Sequence, residues 1–280
     1  MRCAVVLTIG LILGNSCDLL AQVPMQPIAP LPATPTSRTQ VDPKVLTHLK
    51  GWEEAMKSYN TFAVSSVLTR KDLTTKRESK FSAEIWCMKP NLARMSMKPV
   101  VAPGEKENPA DMMAYICTGR AIYQYDGPKK KLTAIPINPQ TGGNHLLLDL
   151  LSGMSAPVAL ARFDFKLLKE DANYIFLEVT PVLVRDKEEF QTMTLVLINP
   201  ANPATRSLQY VPRMVILRQS NGQQEETWDF PKPIMNPKEI TEQHFKPEHP
   251  GKDWTIEEIK VPSPMPTSNP GRIPTPGGKN

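Results

Sequence analysis

The 280-residue sequence carries a net charge of +5 from 33 basic and 28 acidic residues, scattered except for a short Lys129-Lys130-Lys131 run. A nucleic-acid footprint needs a basic face interleaved with aromatics, and the sequence has none, so nucleic acid is excluded as a partner. Its four histidines and four cysteines fall at no metal-ligand spacing, which leaves no metal site and no cofactor to assign.

Residues 1–21 read as a signal peptide: Arg2 gives a positive start, Ala4 to Gly14 an apolar run, and Leu19-Leu20-Ala21 a small residue ahead of Gln22. The run is shorter than the roughly 20 apolar residues that span a bilayer. The expected location is therefore periplasmic, with an extracellular destination as an alternative. Cys17 offers a third reading, lipid anchoring, although Gly14-Asn15-Ser16 lacks the leucine expected three residues ahead of a lipidated cysteine. Cleavage would leave Cys87 and Cys117. Exported thiols either pair as a disulfide or pack as small apolar groups, and the sequence leaves both open.

Residues 22–40 hold five prolines among small and polar residues, and residues 262–280 form a tail rich in Pro, Ser and Gly. Neither can bury a core, so both read as disordered, flanking one domain over 41–261. That domain opens on a helix, with Asp42 as N-cap, Pro43 at the first position, and Val45, Leu49, Trp52, Met56 and Tyr59 at helical spacing. From Asn60 to Asp72 the period becomes two, as in a strand. Ser79 to Met88 and Leu92 to Lys98 flank Pro90-Asn91 as a hairpin. With those two residues as the turn, Trp86 faces Met95 and Cys87 faces Arg94.

Strand patterns follow at Met112 to Thr118, Ala121 to Tyr125 and Lys131 to Ile135, separated by Gly119 and Asp126-Gly127. Asn144 to Met154 and Ala156 to Arg162 are too apolar for an exposed loop and read as short helices. Strands resume at Phe163 to Leu167, Ile175 to Val179, Glu188 to Ile198, Arg213 to Gln219 and Gln223 to Phe230, with Asn221-Gly222 turning the last pair. The expected class is α+β, about ten antiparallel strands in one curved sheet with an N-terminal helix and a central helical insertion.

Little here resembles a catalytic constellation. No nucleophile elbow, zinc helix or phosphate loop occurs. His48 is expected on the polar side of the first helix, and His145, His244 and His249 stand apart from it. Neighbouring acids such as Glu53-Glu54, Glu188-Glu189 and Glu225-Glu226 read as solvated charges, so no enzyme is expected. The 13 methionines suit a surface that adapts to apolar guests, though they fill ordinary cores equally well.

Glu84-Ile85-Trp86-Cys87-Met88-Lys89-Pro90-Asn91-Leu92 resembles the strand-turn-strand signature of the LolA-like family, periplasmic carriers of lipoproteins. Trp52 to Phe62 is similar to that family's helix leading into its first strand. Thr118 to Asp126 resembles its aromatic hairpin, and Asn236 to Pro250 its closing stretch. The resemblance implies an incomplete barrel whose apolar concave face receives acyl chains beneath helical lids, here Asp42 to Tyr59 and Asn144 to Arg162. It implies an acyl chain, lipid or lipoprotein as ligand, a membrane-bound donor or acceptor protein, and a monomer. An envelope sensor or scaffold that binds protein is the alternative.

On that reading the ligand contacts are Trp52, Met56, Phe62, Trp86, Met95, Leu147, Leu151 and Phe163, with Lys89 and Arg94 as lid-control or rim charges. Lys89 stands where the family has an arginine that controls the lid. A lysine keeps the charge but lacks the planar fork that bridges several carbonyls.

Overall fold

The computed structural model describes residues 41–137, 146, 150, 151 and 153–259. The expected leader with Cys17, the linker 22–40, the tail 262–280, His145 and Leu147 lie outside them.

Helix α1 spans Pro43–Lys57. Asp42 accepts the Lys44 N–H at 2.8 Å, and Pro43 has no N–H to leave orphaned in the first turn. Val45, Leu49, Trp52 and Met56 form its buried stripe. His48 is buried with them, only 7% exposed, where the sequence reading had placed it on the polar side. Its position three residues after Val45 and four before Trp52 puts it on the stripe's flank.

From Thr61 onward the period is that of strands, and one 13-stranded sheet results. Its members are β1 (Thr61–Asp72), β2 (Glu78–Met88), β3 (Leu92–Pro99), β4 (Met113–Thr118), β5 (Ala121–Asp126), β6 (Lys131–Pro136), β7 (Phe163–Glu170) and β8 (Tyr174–Pro181). The rest are β9 (Phe190–Ile198), β10 (Pro212–Gln219), β11 (Gln224–Asp229), β12 (Ile234–Met235) and β13 (Thr255–Glu258). The order is β13-β6-β5-β4-β3-β2-β1-β11-β10-β9-β8-β7, with β12 beside β1. Edges β13 and β7 do not pair with each other among the described residues, so the curved sheet is an incomplete barrel.

All pairings are antiparallel except that of β13 on β6. The described residues include two further short α-helices, α2 (Ala156–Arg162) and α3 (Val184–Glu189). The latter takes the first two residues of the strand expected from Glu188. Leu146, Leu150 and Leu151 are helical and buried.

The first hairpin departs from the expected register by one residue. Trp86 pairs with Arg94, Ile85 with Met95 and Cys87 with Ala93, because Lys89 joins Pro90 and Asn91 in a three-residue connection. A one-residue slip exchanges the faces. Phe81, Ala83, Ile85 and Cys87 are therefore the buried set and share the inner face with Ala93, Met95 and Met97. Trp86 and Arg94 lie on the outer face.

The inner face is apolar over most of its width. Val64, Ile85 and Met95 are paired across β1 to β3, and Leu68, Trp228, Val215, Leu195 and Leu177 across β1 and β11 to β8. All eight are at most 5% exposed. Strand β4 is buried on both faces, because its outer residues Ala114 and Ile116 pack with Tyr125, Leu132 and Trp254. The covering there is the chain's own C-terminal stretch. Tyr125 donates to the Glu248 carbonyl at 2.8 Å, Arg94 donates to the His244 carbonyl at 3.1 Å, and the His244 ring stands edge-on to Trp86 at 5.2 Å.

Candidate functional site

The inner face is the candidate site, and helices close it. Helix α1 packs against α2 and the edge strand β7, and its apolar stripe is no more than 1% exposed. Gly153 lies close against α1. It sits at φ +86°, and any side chain there would meet the Met56 Cβ at 2.4 Å. The helical residues Leu150 and Leu151 are thus brought down beside the end of α1.

Three polar contacts fasten this cover. The Tyr59 hydroxyl donates to the Leu151 carbonyl. Lys89 Nζ donates to the Met56 carbonyl at the C-terminal end of α1, where the helix leaves carbonyls unpaired and carries partial negative charge. The Glu53 carboxylate accepts the Ala156 N–H, in the first turn of α2, at 2.9 Å. Lys89 Nζ also lies 4.4 Å from the Tyr59 ring centroid, so the two pegs support each other.

The protonation states follow from these surroundings. Burial pushes the Tyr59 hydroxyl well above its ordinary range, with nearby Cys87 adding to the shift, so it stays a donor. Burial, and then the Lys57 charge, lowers Lys89 from its usual value. The Ala156 N–H and then Lys57 hold Glu53 below the ordinary carboxylate range. The shifts keep Tyr59 protonated and Glu53 ionised, the forms that make their contacts, whereas the shift on Lys89 works against its charged form.

Trp52, Met56, Phe62, Met95, Leu151 and Phe163 are brought to this inner region, each at most 2% exposed. They are packed core in the closed protein. Trp86 is not among them, since the shifted register turns it outward, and Arg94 goes with it, its guanidinium 5.9 Å from the Trp86 ring. Leu147 lies outside the described residues.

Cys87 and Cys117 share the inner face, both buried, but they are not bonded to each other. Both pair with Ala93, from opposite sides, so β3 separates them by two strand spacings, about 9–10 Å. A disulfide needs Cα atoms within about 7 Å. Cys117 instead donates to the Asn91 carbonyl at 3.2 Å.

Two polar groups of α1 are buried. The Trp52 indole N–H has no hydrogen-bond partner among the described residues. His48 Nε2 lies 3.5 Å from Glu170 Oε2 without hydrogen-bond geometry, beside the Tyr210 ring at 6.2 Å. Among the described residues no three His, Cys, Asp or Glu side chains gather to hold a metal.

No protein-family model and no curated protein matches the sequence. Solved structures do resemble it. An uncharacterized conserved protein from Thermus thermophilus aligns at TM-score 0.46 and 12% identity, covering 77% of this chain and 99% of that one. A LolA superfamily protein from Nitrosomonas europaea aligns at TM-score 0.38 and 10% identity, over 72% of this chain and 96% of that one. The MucA/MucB complex of Pseudomonas aeruginosa aligns at TM-score 0.36 and 14% identity, over 73% of this chain and 61% of that one.

Proposed function

We propose that this is an exported cell-envelope protein that holds the acyl chain of a lipid or lipoprotein against its inner sheet face and changes no covalent bond. One observation carries the reading: an unclosed sheet turns a wide apolar face toward helices that side-chain pegs on backbone groups join to one another and, through Lys89, to the β2–β3 turn. Such pegs come undone one at a time, whereas the sheet's own ladder is continuous.

Binding then proceeds by exchange. The pegs release, α1 and the helical residues Leu150 and Leu151 withdraw, and the acyl chain takes their place on Phe62, Met95 and Phe163. Its driving force is about 0.8 kcal/mol per methylene removed from water. The lid-control role expected of Lys89 is here divided. Lysine reaches one carbonyl, that of Met56, and Tyr59 supplies the second bond, to Leu151.

Native mass spectrometry of the protein isolated without denaturation tests this. The expected result is either a bound lipid mass or uptake of one acyl probe per chain. A protein that carries no lipid and takes up no probe at saturating concentration would refute the reading.

A further inference from the structure

The inner face is not apolar throughout, and the exception is concentrated. Arg70 follows Leu68 on the inner side of β1 and is paired across the ladder with Glu226 of β11. Its Nε donates to Glu226 Oε1 at 2.8 Å, and Gln219 Nε2 approaches the same oxygen at 3.4 Å. The guanidinium lies 5.2 Å from the Phe81 ring centroid. Tyr115, whose hydroxyl burial pushes up, feels Arg70, Glu226 and Asp126 as neighbouring charges. An ion pair is thus set among Leu68, Phe81, Trp228 and Leu217.

The bond to Glu226 uses one edge of the guanidinium only. Among the described residues nothing accepts from the two terminal amino groups of Arg70, and the arginine is the more exposed partner, 20% against 13%. A planar fork backed by an aromatic ring matches two oxygens of one acid group. An exposed cross-strand ion pair needs no such placement and contributes little.

We propose that Arg70 anchors the head group of an anionic amphiphile, a carboxylate or a phosphate ester, whose chain lies along the adjoining apolar rows of the sheet. The proposal rests on the acyl-binding reading and adds the polar end of the ligand to it. Head and tail then have separate places. The chain is gripped by area, which any amphiphile offers, and the head by two charge-assisted hydrogen bonds, which only an acid offers.

Dodecanoate, dodecyl phosphate and dodecanol, each below its micelle concentration, separate the two contributions by calorimetric titration of the purified protein. Both acids should bind about tenfold tighter than the alcohol, the advantage expected of charge-assisted bonds in a half-buried site. The tighter of the two acids distinguishes a fatty acid from a phospholipid. In an Arg70→Gln/Glu226→Gln protein, which leaves no unpaired charge behind, the acids should fall to the alcohol's affinity while the alcohol is unaffected. Arg70→Lys, which keeps the charge and loses the fork, should fall between, and melting curves report folding. Equal binding of all three by the wild type, or an acid preference that survives the double change, overturns the anchor alone. Failure of all three to bind overturns the acyl reading with it.

Discussion

Replacing Tyr59 by Phe removes one atom and tests whether the cover is a gate. The ring stays, with its neighbours Phe62 at 5.7 Å between centroids and Lys89 Nζ at 4.4 Å. What is lost is the bond to the Leu151 carbonyl, in a place where Tyr59 is 3% and Leu151 0% exposed. A buried carbonyl left without its donor costs about 1–3 kcal/mol. If only the closed form pays it, the closed-to-open ratio falls by roughly 5- to 150-fold, since 1.4 kcal/mol is tenfold. Stopped-flow uptake of an acyl-chain fluorophore should then accelerate by a comparable factor. Ile116→Val is the control, a truncation of similar cost in the core on the outer face, with no peg to release. Faster uptake in Tyr59→Phe alone supports the gate. Equal acceleration in both, or a lowered melting temperature with unchanged uptake, refutes the idea that this bond holds a lid.

Three further outcomes follow from the same geometry. Intact mass before and after reduction should be identical, because β3 stands between Cys87 and Cys117; a two-proton gain on reduction would mean that they are bonded after all. Burial, with Cys117 nearby, pushes the Cys87 thiol from 9.0 up to about 12, so between those pH values the unfolded chain gives up a proton that the folded chain keeps. That group's stabilisation is whole below pH 9 and is lost as pH rises toward 12. Between pH 9 and 10, below the ordinary tyrosine range, urea midpoints should fall more steeply for wild type than for Cys87→Ala; equal slopes would contradict a protonated buried thiol. Finally, Arg162 grips Asp186 through Nη2 to Oδ1 at 2.7 Å and Nε to Oδ2 at 3.2 Å, with Asp186 2% exposed. Arg162→Ala leaves that carboxylate only the more distant Arg185 Nε at 3.8 Å and should cost up to about 3–5 kcal/mol in thermal or urea unfolding. A loss under 1 kcal/mol would show that water reaches the pair.

What the sequence disclosed depended on how many residues had to agree. Helix α1 and most strands lie within a residue or two of their expected bounds, because caps, turn residues and period all point the same way there. The hairpin face failed because a single residue decides it: whether Lys89 belongs to the strand or to the turn. A signal was present, since Ser82 and Glu84 share the parity of Trp86, and polar companions mark the outward side. His48 was equally readable, lying three and four residues from two members of the buried stripe. The disulfide question needed strand adjacency, which no single strand encodes. Strand β13 is exposed along its length and carries no pattern, so its parallel place on β6 was invisible. The Arg70–Glu226 pair was hidden for a related reason. Two charges 156 positions apart meet only when β1 and β11 become neighbours.

On the proposed reading the protein must release what it binds, and the magnitudes allow it. Closing the cover buries the side chains of Val45, Leu49, Trp52 and Met56 in α1. At about 1.5–3 kcal/mol each, that burial is of order 6–12 kcal/mol. A twelve-carbon chain laid on the same inner surface gains about 10 kcal/mol at roughly 0.8 per methylene. Protein and ligand therefore compete for one apolar face on nearly equal terms, and the balance is left to the small polar contacts: the Tyr59 and Lys89 pegs for the closed form, an acid head on Arg70 for the loaded one. A face whose own helices covered it far more strongly would never load, and one without them would never let go. The helices that make this inner region a packed core in the closed protein are, on this argument, what makes occupancy by a lipid reversible.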